Sequence, residues 1–439
     1  MNRDPAPHHP LVQRLIDARQ VTDNLFSIVK PEFLYDRPIR ERHRIVFYIG
    51  HLEAFDRNLF DQRLCDLPAF DPRLDQLFAF GIDPVDGGFP TDQPSDWPSL
   101  NTVRDYANRA REQIDRELDA LSSAGRVGRD RAQGEAAEQL LNVAIEHRLM
   151  HAETLAYMLH QLPVAQKVSA ARESPQTYAE RERSAPESSM VSVPAGPTVL
   201  GMTRDSGRFG WDNEFGEMRV DVPAFEIDRH MVTNGAFLEF IEAGGYREAR
   251  WWSEKDWAWK EAEHIEHPAF WSRRGDCKNA WALRTMFDEV PLPLDWPAYV
   301  SHAEASAYAR WAGKSLPTEA QWQRAAHGAP HAASGNFDFR SWDPMPVDVH
   351  PDNVSAFGVE GQFGNGWEWT ATVFDALPGF EAFPFYEGYS ANFFDGQHYV
   401  LKGGSARTAK CMLRPAFRNW FQAHYQYVYA GFRCVRNDR

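Results

Sequence analysis

The sequence predicts an α+β protein in which a helical bundle is followed by a loop-rich domain of short strands and a few helices. Residues 1–167 contain long segments whose apolar residues recur with a helical period. From Val191 the apolar segments become short, turn residues are frequent and tryptophan is dense. A chain of 439 residues is long for one domain, so two or three domains are expected.

The first domain, residues 1–167, is predicted to be a four-helix bundle. Its helical patterns occupy residues 10–30, 41–65, 99–124 and 132–163, separated by stretches that contain proline and glycine. Ser99 stands where the N-cap of the third helix would be. Bundles of this kind commonly hold a metal between facing helices, so histidines on the inner faces are candidate ligands.

Residues 168–190 are polar and low in aromatic residues, which predicts a linker or an extended strap across the second domain. The second domain is expected to span residues 191–439. Its clearest helical patterns are at 233–243 and 302–327. Long irregular stretches rich in glycine, asparagine and tryptophan indicate that loops dominate the rest.

Composition and sequence pattern argue against several classes of function. The net charge of −15 disfavours nucleic acid as a partner, because phosphate binding requires clustered lysine and arginine. No apolar run approaches the length of a membrane span and the first residues do not resemble a signal peptide, so no membrane partner and a cytoplasmic location are expected. Four scattered cysteines indicate neither a disulfide framework nor a cysteine-type zinc site; they are Cys65, Cys277, Cys411 and Cys434.

The most informative feature of the first domain is a pair of histidines, His147 and His151, in its fourth predicted helix. Residues four apart on a helix project from the same face, so both imidazoles can reach one divalent metal. The surrounding apolar residues place that face inside the bundle. Position 148 is arginine where the helical zinc-protease motif has glutamate, so a redox metal is favoured over hydrolytic zinc.

A third ligand is expected from another helix, and His51 in the second predicted helix is the best candidate. A lone histidine in an apolar helix is more often a hydrogen-bonded core residue. The case for His51 as a metal ligand therefore depends on the His147/His151 pair. Spacing alone leaves iron, zinc and copper open, since neutral imidazole suits each of them.

Several short motifs in the second half are specific in combination. They resemble the formylglycine-generating-enzyme (sulfatase-modifying factor) fold, a variant of the C-type-lectin fold, over nearly all of residues 191–439. The motifs are Val193-Pro194-Ala195-Gly196, Val232-Thr233-Asn234, Leu316-Pro317-Thr318-Glu319-Ala320-Gln321-Trp322, Gly364-Asn365-Gly366-Trp367-Glu368-Trp369-Thr370, Leu401-Lys402-Gly403-Gly404-Ser405 and Gly431-Phe432-Arg433-Cys434.

A helical domain with His-x-x-x-His-x-Glu before this fold resembles the EgtB-like family, whose first domain is a DinB-like bundle. The resemblance implies a non-heme iron enzyme that uses dioxygen to attach a chalcogen to the imidazole ring of hercynine (Nα-trimethylhistidine). Its iron-binding histidines map onto His51, His147 and His151. Fe(II) as cofactor and O2 as co-substrate are therefore implied by the resemblance.

The resemblance also implies substrate-side residues. The family's tyrosine motif is matched by Tyr386-Glu387-Gly388-Tyr389-Ser390, with Tyr386 as the catalytic residue for proton or electron transfer and Tyr389 as a supporting contact. Asn419 and Trp420 are the candidates for the betaine end of hercynine, the amide for its carboxylate and the indole for its trimethylammonium group. Simple aromatic packing is the alternative for Tyr386 and Trp420.

Two departures concern the chalcogen donor. Relatives that use γ-glutamylcysteine have an aspartate after the Asn-Trp pair and an arginine-rich loop, whereas here Phe421 follows Trp420 and residues 83–93 contain no arginine. An anionic dipeptide needs charge-assisted donors. We therefore expect the selenoneine synthase (SenA) subgroup with a selenosugar donor, in which Asp86 or Asp92 accepts hydrogen bonds. Cysteine, γ-glutamylcysteine or another thiol is the alternative donor.

Two other classes of function compete with this expectation. A formylglycine-generating enzyme would need a cysteine pair in the stretch after Ser405, where Cys411 stands alone before the terminal motif with Cys434. A non-catalytic binding module is also compatible with a lectin-like fold, because fold does not dictate function.

Overall fold

The computed structural model describes residues 9–63, 67–81, 89–123, 131–168, 184–273, 281–331 and 333–437. The chain divides into two compact units, Met1–Arg172 and Glu173–Arg439. Most of the predicted linker, residues 169–183, lies outside the described residues. The first unit is helical and the second combines strands with short helices, so the α+β prediction is confirmed.

All four predicted helices of the first unit are present, with bounds within a few residues of those expected. A fifth, short helix was not predicted; Asp71 caps it and proline occupies its first position. No helix in the described part of the chain is long and apolar enough to cross a membrane. The helices are α1 (Pro10–Ile28), α2 (Ile45–Arg63), α3 (Pro72–Phe80), α4 (Leu100–Ser123) and α5 (Arg131–His160).

Helix α2 lies at the centre of this unit and packs against α3, α4 and α5, while α1 packs against α5. The apolar positions that follow the helical period are buried, as Leu15 of α1, Leu52 of α2 and Ile145 of α5 illustrate. Burial of such a side chain contributes about 1.5–3 kcal/mol. The apolar stripe on α5 therefore fixes the direction of its histidine pair, toward α2.

The second unit contains four small sheets within the described residues, in the orders β1-β4-β12, β2-β3, β5-β6-β7 and β10-β9-β8-β11. All pairs are antiparallel except that of β11 with β8. The strands are β1 (Met190–Val193), β2 (Gly196–Leu200), β3 (Met218–Val222), β4 (Phe225–Asp228), β5 (Trp271–Arg273), β6 (Trp281–Arg284), β7 (Glu289–Pro291), β8 (Gly366–Val373), β9 (His398–Gly404), β10 (Asn419–Gln422), β11 (Ala430–Gly431) and β12 (Val435–Asn437).

Four α-helices of this unit are described: α6 (Asn234–Glu242), α7 (Glu254–Ala262), α8 (His302–Trp311) and α9 (Glu319–Ala325). The prediction at 233–243 is confirmed, whereas the single helix expected at 302–327 is wrong. Gly313 adopts a positive φ of 66° and ends α8. Ser315 then pairs with Val435, and Thr318 caps α9. Helix α7 was not predicted.

Three motif residues of the second unit form a buried network. Glu368 of β8 is fully buried and accepts hydrogen bonds from Arg433 at 2.9 Å and from the Trp322 indole at 2.8 Å. These contacts join α9, β8 and the Gly431–Cys434 motif. They support the sheet whose edge strand, β10, holds the predicted substrate residues.

Candidate metal centre and aromatic cluster

The structure brings the three predicted histidines together. His51 of α2 faces His147 and His151 of α5, and their ligand atoms all lie within 4.8 Å of one another. The ring centroids of His147 and His151 are 4.5 Å apart, as expected for successive turns of one helix. His147 is buried, and His51 and His151 are half-buried.

The protonation state of the group suits metal binding. Burial lowers the pKa of His51 to about 4, and burial together with neighbouring histidines holds the pKa values of His147 and His151 well below their usual range. Neutral imidazoles have the lone pairs that a metal requires. The Nδ1 atom of His151 is buried with no hydrogen-bond partner among the described residues. Three neutral imidazoles, each offering a lone pair as a metal ligand, fit iron, zinc or copper.

The orientation of His51 is fixed by a backbone group of α3. Its Nδ1 lies 2.8 Å from the carbonyl oxygen of Phe78, so the N–H is placed on Nδ1 and the lone pair on Nε2. Metal-binding histidines commonly donate a hydrogen bond in this way, from the N–H of the ring nitrogen that does not bind the metal. Phe78 also packs over Gly50, where an added Cβ would lie 2.4 Å from the ring.

Aromatic rings hold the imidazoles from the sides. Phe55 stacks on His147 with a centroid distance of 3.4 Å and an interplanar angle of 10°. Phe47 stacks on His51 at 4.7 Å, and Tyr48 lies 5.6 Å from His151. These rings restrict the imidazole rotamers and keep water from the buried side of the group.

Arg148, which stands where a zinc protease has its catalytic glutamate, is 1% exposed and is hydrogen-bonded to buried carboxylates of α2. A side chain engaged in this way cannot serve as a general base. The structure therefore agrees with the sequence argument against a hydrolytic zinc site of that type.

In the second unit, the predicted Tyr386, Tyr389 and Trp420 lie in one aromatic cluster. Tyr389 stacks on Trp211 with centroids 4.0 Å apart, and Tyr386 lies 6.4 Å from the same indole. Trp420 meets Tyr389 edge-on at 5.3 Å and stacks on Phe374 at 4.2 Å. Residues far apart in sequence thus form one cluster, in which Trp211 and Tyr389 are buried. Tyr386 and Trp420 are half-buried, and their rings are suited to a cationic or aromatic ligand.

Trp211 was missed by the sequence analysis although it anchors the cluster. The short turn after it, residues 212–214, is buried. Ser390 donates a hydrogen bond to Asp212, and Arg414 pairs with Glu214 at 2.5 Å. The segment Gly210-Trp211-Asp212-Asn213-Glu214, in which polar residues directly follow a tryptophan, was the pattern that could have indicated Trp211.

Burial raises the pKa of Asp212, and burial together with the Asp212 charge raises the pKa of Tyr386 to about 12. The Tyr386 phenol is therefore protonated at neutral pH and can act as a proton donor.

Asn419 and Phe421, the residues on either side of Trp420, make contacts of other kinds. The side-chain oxygen of Asn419 accepts a hydrogen bond from the backbone N–H of Trp420 at 2.9 Å. Phe421 stacks on Tyr425 with centroids 5.0 Å apart. Because successive side chains of a strand point to opposite faces, Phe421 and Trp420 face different sides of β10.

One proposed donor contact is corrected by the structure. Asp92 is 4% exposed and accepts hydrogen bonds from Arg44 at 2.8 Å and from the Trp97 indole at 2.6 Å, with Arg37 on its other oxygen. Because it is buried and both of its oxygens are engaged, it is a structural residue rather than a contact for a polyol. Asp86, the other carboxylate suggested for this role, lies outside the described residues.

Fold and site together define a class of protein, a helical bundle with three converging histidines joined to a mixed domain with an aromatic cluster. The sulfatase-modifying factor enzyme 1-like domain matches residues 175–438, and the DinB superfamily matches residues 14–155. The chain therefore belongs to the sulfatase-modifying factor enzyme 1-like family, and within it to the EgtB-like proteins that also have a DinB domain.

Three relatives illustrate the similarity. The hercynine oxygenase of Mycobacterium tuberculosis is 38% identical over 54% of this chain and 58% of its own length. Ergothioneine biosynthesis protein 1 of Neurospora crassa is 26% identical over 94% of this chain and 56% of its own. The formylglycine-generating enzyme of Mycobacterium tuberculosis is 28% identical over 56% of this chain and 97% of its own. The chain thus spans little more than half the length of the first two.

Proposed function

We propose that this protein is a non-heme Fe(II), O2-dependent enzyme that joins a chalcogen to the imidazole ring of hercynine. The observation that carries the proposal is the group of three neutral histidines within 4.8 Å in a DinB-like bundle. The names of the relatives, hercynine oxygenase and ergothioneine biosynthesis protein 1, support the same substrate.

Bound Fe(II) would supply redox chemistry with dioxygen and leave coordination positions for ligands beyond the three imidazoles. In the form that yields an oxide, the ring C–H bond and the donor Se–H or S–H bond are replaced by a carbon–chalcogen bond. The chalcogen gains one oxygen atom, and the second leaves as water after four-electron reduction of O2.

The residues of the second unit would bind hercynine and manage a proton. Trp420 would attract the trimethylammonium group through its ring face, and Asn419 would hydrogen-bond the carboxylate. Tyr386, whose pKa is about 12, would donate a proton and tolerate one-electron oxidation. Tyr389 would hold the aromatic surface in place by stacking on Trp211.

For the donor we favour a selenosugar, which would make the protein a selenoneine synthase. The position after Trp420 holds Phe421, which stacks on Tyr425. A phenylalanine at this position offers no charge to the amino group of an amino-acid donor, as an aspartate would. Asp92 is engaged by Arg37 and Arg44 and does not support a polyol contact. The preference for a selenosugar therefore depends on Phe421 and on the absence of arginine from residues 83–93.

A thiol donor such as γ-glutamylcysteine is the second candidate, and one contact favours it. Arg40, which precedes α2, places its guanidinium 4.8 Å from the ring of Phe89, and its side chain is 54% exposed. It pairs at 3.0 Å with Glu41, which is half-buried. Arg40 therefore brings a cation to a loop that contains none, and a carboxylate of the donor would be its ligand.

A donor-competition assay tests the proposal. Anaerobically purified, Fe(II)-loaded protein receives hercynine and O2 with equal concentrations of selenosugar, thiosugar, cysteine and γ-glutamylcysteine, and products are identified by mass spectrometry. A hercynine–selenosugar adduct as the main product supports the selenoneine assignment, and a thiol adduct supports the second candidate. If no donor gives a hercynine adduct above the His147→Ala control, the proposed reaction is wrong.

A further inference from the structure

Arg148 lies where three helices of the first unit, α1, α2 and α5, come into contact. It is 1% exposed, and it follows His147 directly on α5. Its guanidinium donates to Glu53 at 3.0 Å and to Asp56 at 2.6 Å, both on α2. A weaker contact of 3.4 Å reaches Thr22 of α1. The side chain therefore bridges elements that are far apart in sequence.

The bridge joins the two helices that hold the histidines. Arg148 also donates to the backbone carbonyl of Leu52 at 3.0 Å. Leu52 and Glu53 are the two residues that directly follow His51. On the other side, Arg148 stands between His147 and His151 in sequence. One guanidinium thus fixes α2 and α5 next to all three histidines.

Stability alone does not explain a buried network of this kind. Removing two charges from water costs several kcal/mol per ion, and apolar residues of similar volume often stabilise a core as well or better. What a planar guanidinium supplies is geometry, because its donors point in fixed directions and match a carboxylate and a carbonyl at the same time.

We infer that Arg148 is a positioning residue that sets the distance between His51 and the His147/His151 pair, and so determines the affinity of the three-histidine site for its metal. The inference rests on the metal site proposed above. Outer groups that orient metal ligands typically change metal affinity by about 10–100-fold when they are lost.

The same network contains a matched control. Arg19 of α1 is 4% exposed and reaches Glu53 at 3.9 Å and Asp115 at 2.5 Å. It is a buried arginine on the same carboxylate, but α1 holds none of the three histidines. Arg19→Lys should therefore disturb the network without changing the alignment of α2 with α5.

The experiment compares Arg148→Lys with Arg19→Lys in the full chain, with Co(II) as the metal probe. Co(II) affinity is measured by competition with a chromophoric chelator, Co(II) geometry by visible absorption, and apo stability by thermal unfolding. Lysine keeps the charge but lacks the planar guanidinium that donates in fixed directions to two carboxylates and a carbonyl. We expect Co(II) to bind Arg148→Lys ~10-fold or more weakly, with an altered spectrum. Arg19→Lys should bind within about twofold of the wild type, whatever its loss of stability.

A third variant covers the case in which Arg148→Lys does not fold. The combination of Arg148→Met and Asp56→Asn removes the Arg148 charge together with that of one carboxylate partner, while Glu53 stays paired with Arg111 at 2.7 Å. Removing both partners of a buried pair makes folding easier than removing one. Weakened Co(II) binding in this folded variant supports the inference. Wild-type affinity and spectrum in either Arg148 variant overturn it. Full metal content in His147→Ala would instead show that the metal site itself is wrong.

Discussion

The Nδ1 atom of His51 lies 2.8 Å from the carbonyl oxygen of Phe78, and the ring of Phe78 covers Gly50. A Cβ at Gly50 would lie 2.4 Å from that ring, so only glycine allows α3 to approach α2 this closely. Helix α3 holds none of the three histidines, yet it fixes the tautomer and direction of one of them. The close packing of two helices thus determines the chemistry of the metal centre.

Gly50→Ala should destabilise the protein although alanine is the better helix former. Helix propensity alone predicts a gain of about 1 kcal/mol in an interior position. Overpacking against Phe78 should instead cost about 1–3 kcal/mol and displace the carbonyl that orients His51. Urea unfolding of the apo protein and Co(II) titration are the measurements. A more stable variant with unchanged Co(II) affinity would contradict this account of α3.

His147→Ala should lose stoichiometric iron, because two remaining imidazoles on different helices form an incomplete site. His160 provides the control, since it is on the same helix and only 4% exposed. His160→Ala should lose stability through its cavity but keep its iron. Metal analysis after anaerobic loading and desalting decides the matter. Equal iron content in the two variants would refute the assignment of the histidine triad.

Tyr386→Phe should keep the fold, the metal and hercynine binding while changing the rate or the product. The substitution leaves the ring that packs near Trp211 and removes only the hydroxyl. Because burial raises the pKa of Tyr386 to about 12, the wild-type phenol holds its proton throughout the neutral range. Single-turnover kinetics with product analysis by mass spectrometry test the role. Unchanged turnover and product would leave Tyr386 as a packing residue.

Long helices and the histidine group were accessible from sequence because both follow the helical period. The bounds of α2 and α5 came from runs of apolar residues, and the spacing of His147 and His151 placed them on one face. Tyr386, Tyr389 and Trp420 were found by resemblance alone, and nothing in their spacing predicted that they share a cluster.

The features that sequence reasoning missed depend on partners distant along the chain. Helix α3 has only nine residues and is stabilised by packing more than by its own periodicity. Arg148 pairs with Asp56, 92 positions away, and a charged residue in a helix gives no sign of such a partner. Asp92 was predicted to be an available ligand for the same reason, since its partners Arg37 and Arg44 are 55 and 48 positions away in the sequence.

The stability of the second unit should fall in acid partly because of His302. This residue is 7% exposed, stacks on Tyr399 at 3.7 Å and is hydrogen-bonded to the Thr370 backbone. Burial lowers its pKa to about 4 from 6.5. Between those values the unfolded chain binds the proton more readily, so unfolding becomes easier as the pH decreases.

Comparison with His302→Gln isolates this contribution from other titrating groups. The wild-type free energy of unfolding should fall by about 3 kcal/mol more than that of the variant between pH 7 and pH 4. Urea unfolding followed by tryptophan fluorescence at several pH values provides the measurement. Parallel pH profiles for the two proteins would show that His302 does not titrate in this way.

Replacement of Trp420 should weaken recognition of the trimethylammonium group. Trp420 stacks on Phe374 and meets Tyr389 edge-on, which holds the indole in one orientation. A cation over an indole face contributes about 0.5–2 kcal/mol, or a factor of ~2–30. In Trp420→Leu the ratio of kcat/KM for hercynine to that for unmethylated histidine should therefore fall by about that factor.

Trp259→Leu is the control for general loss of aromatic surface. Trp259 stacks on His424 at 4.5 Å and makes no ring contact with the Trp420 cluster among the described residues. Its loss should leave the ratio unchanged, because both substrates share every group except the three methyls. Trp420→Phe keeps a smaller ring and should give an intermediate ratio. If Trp420→Leu lowers kcat/KM for both substrates equally, the indole supports the fold of the site and does not select the methylated cation.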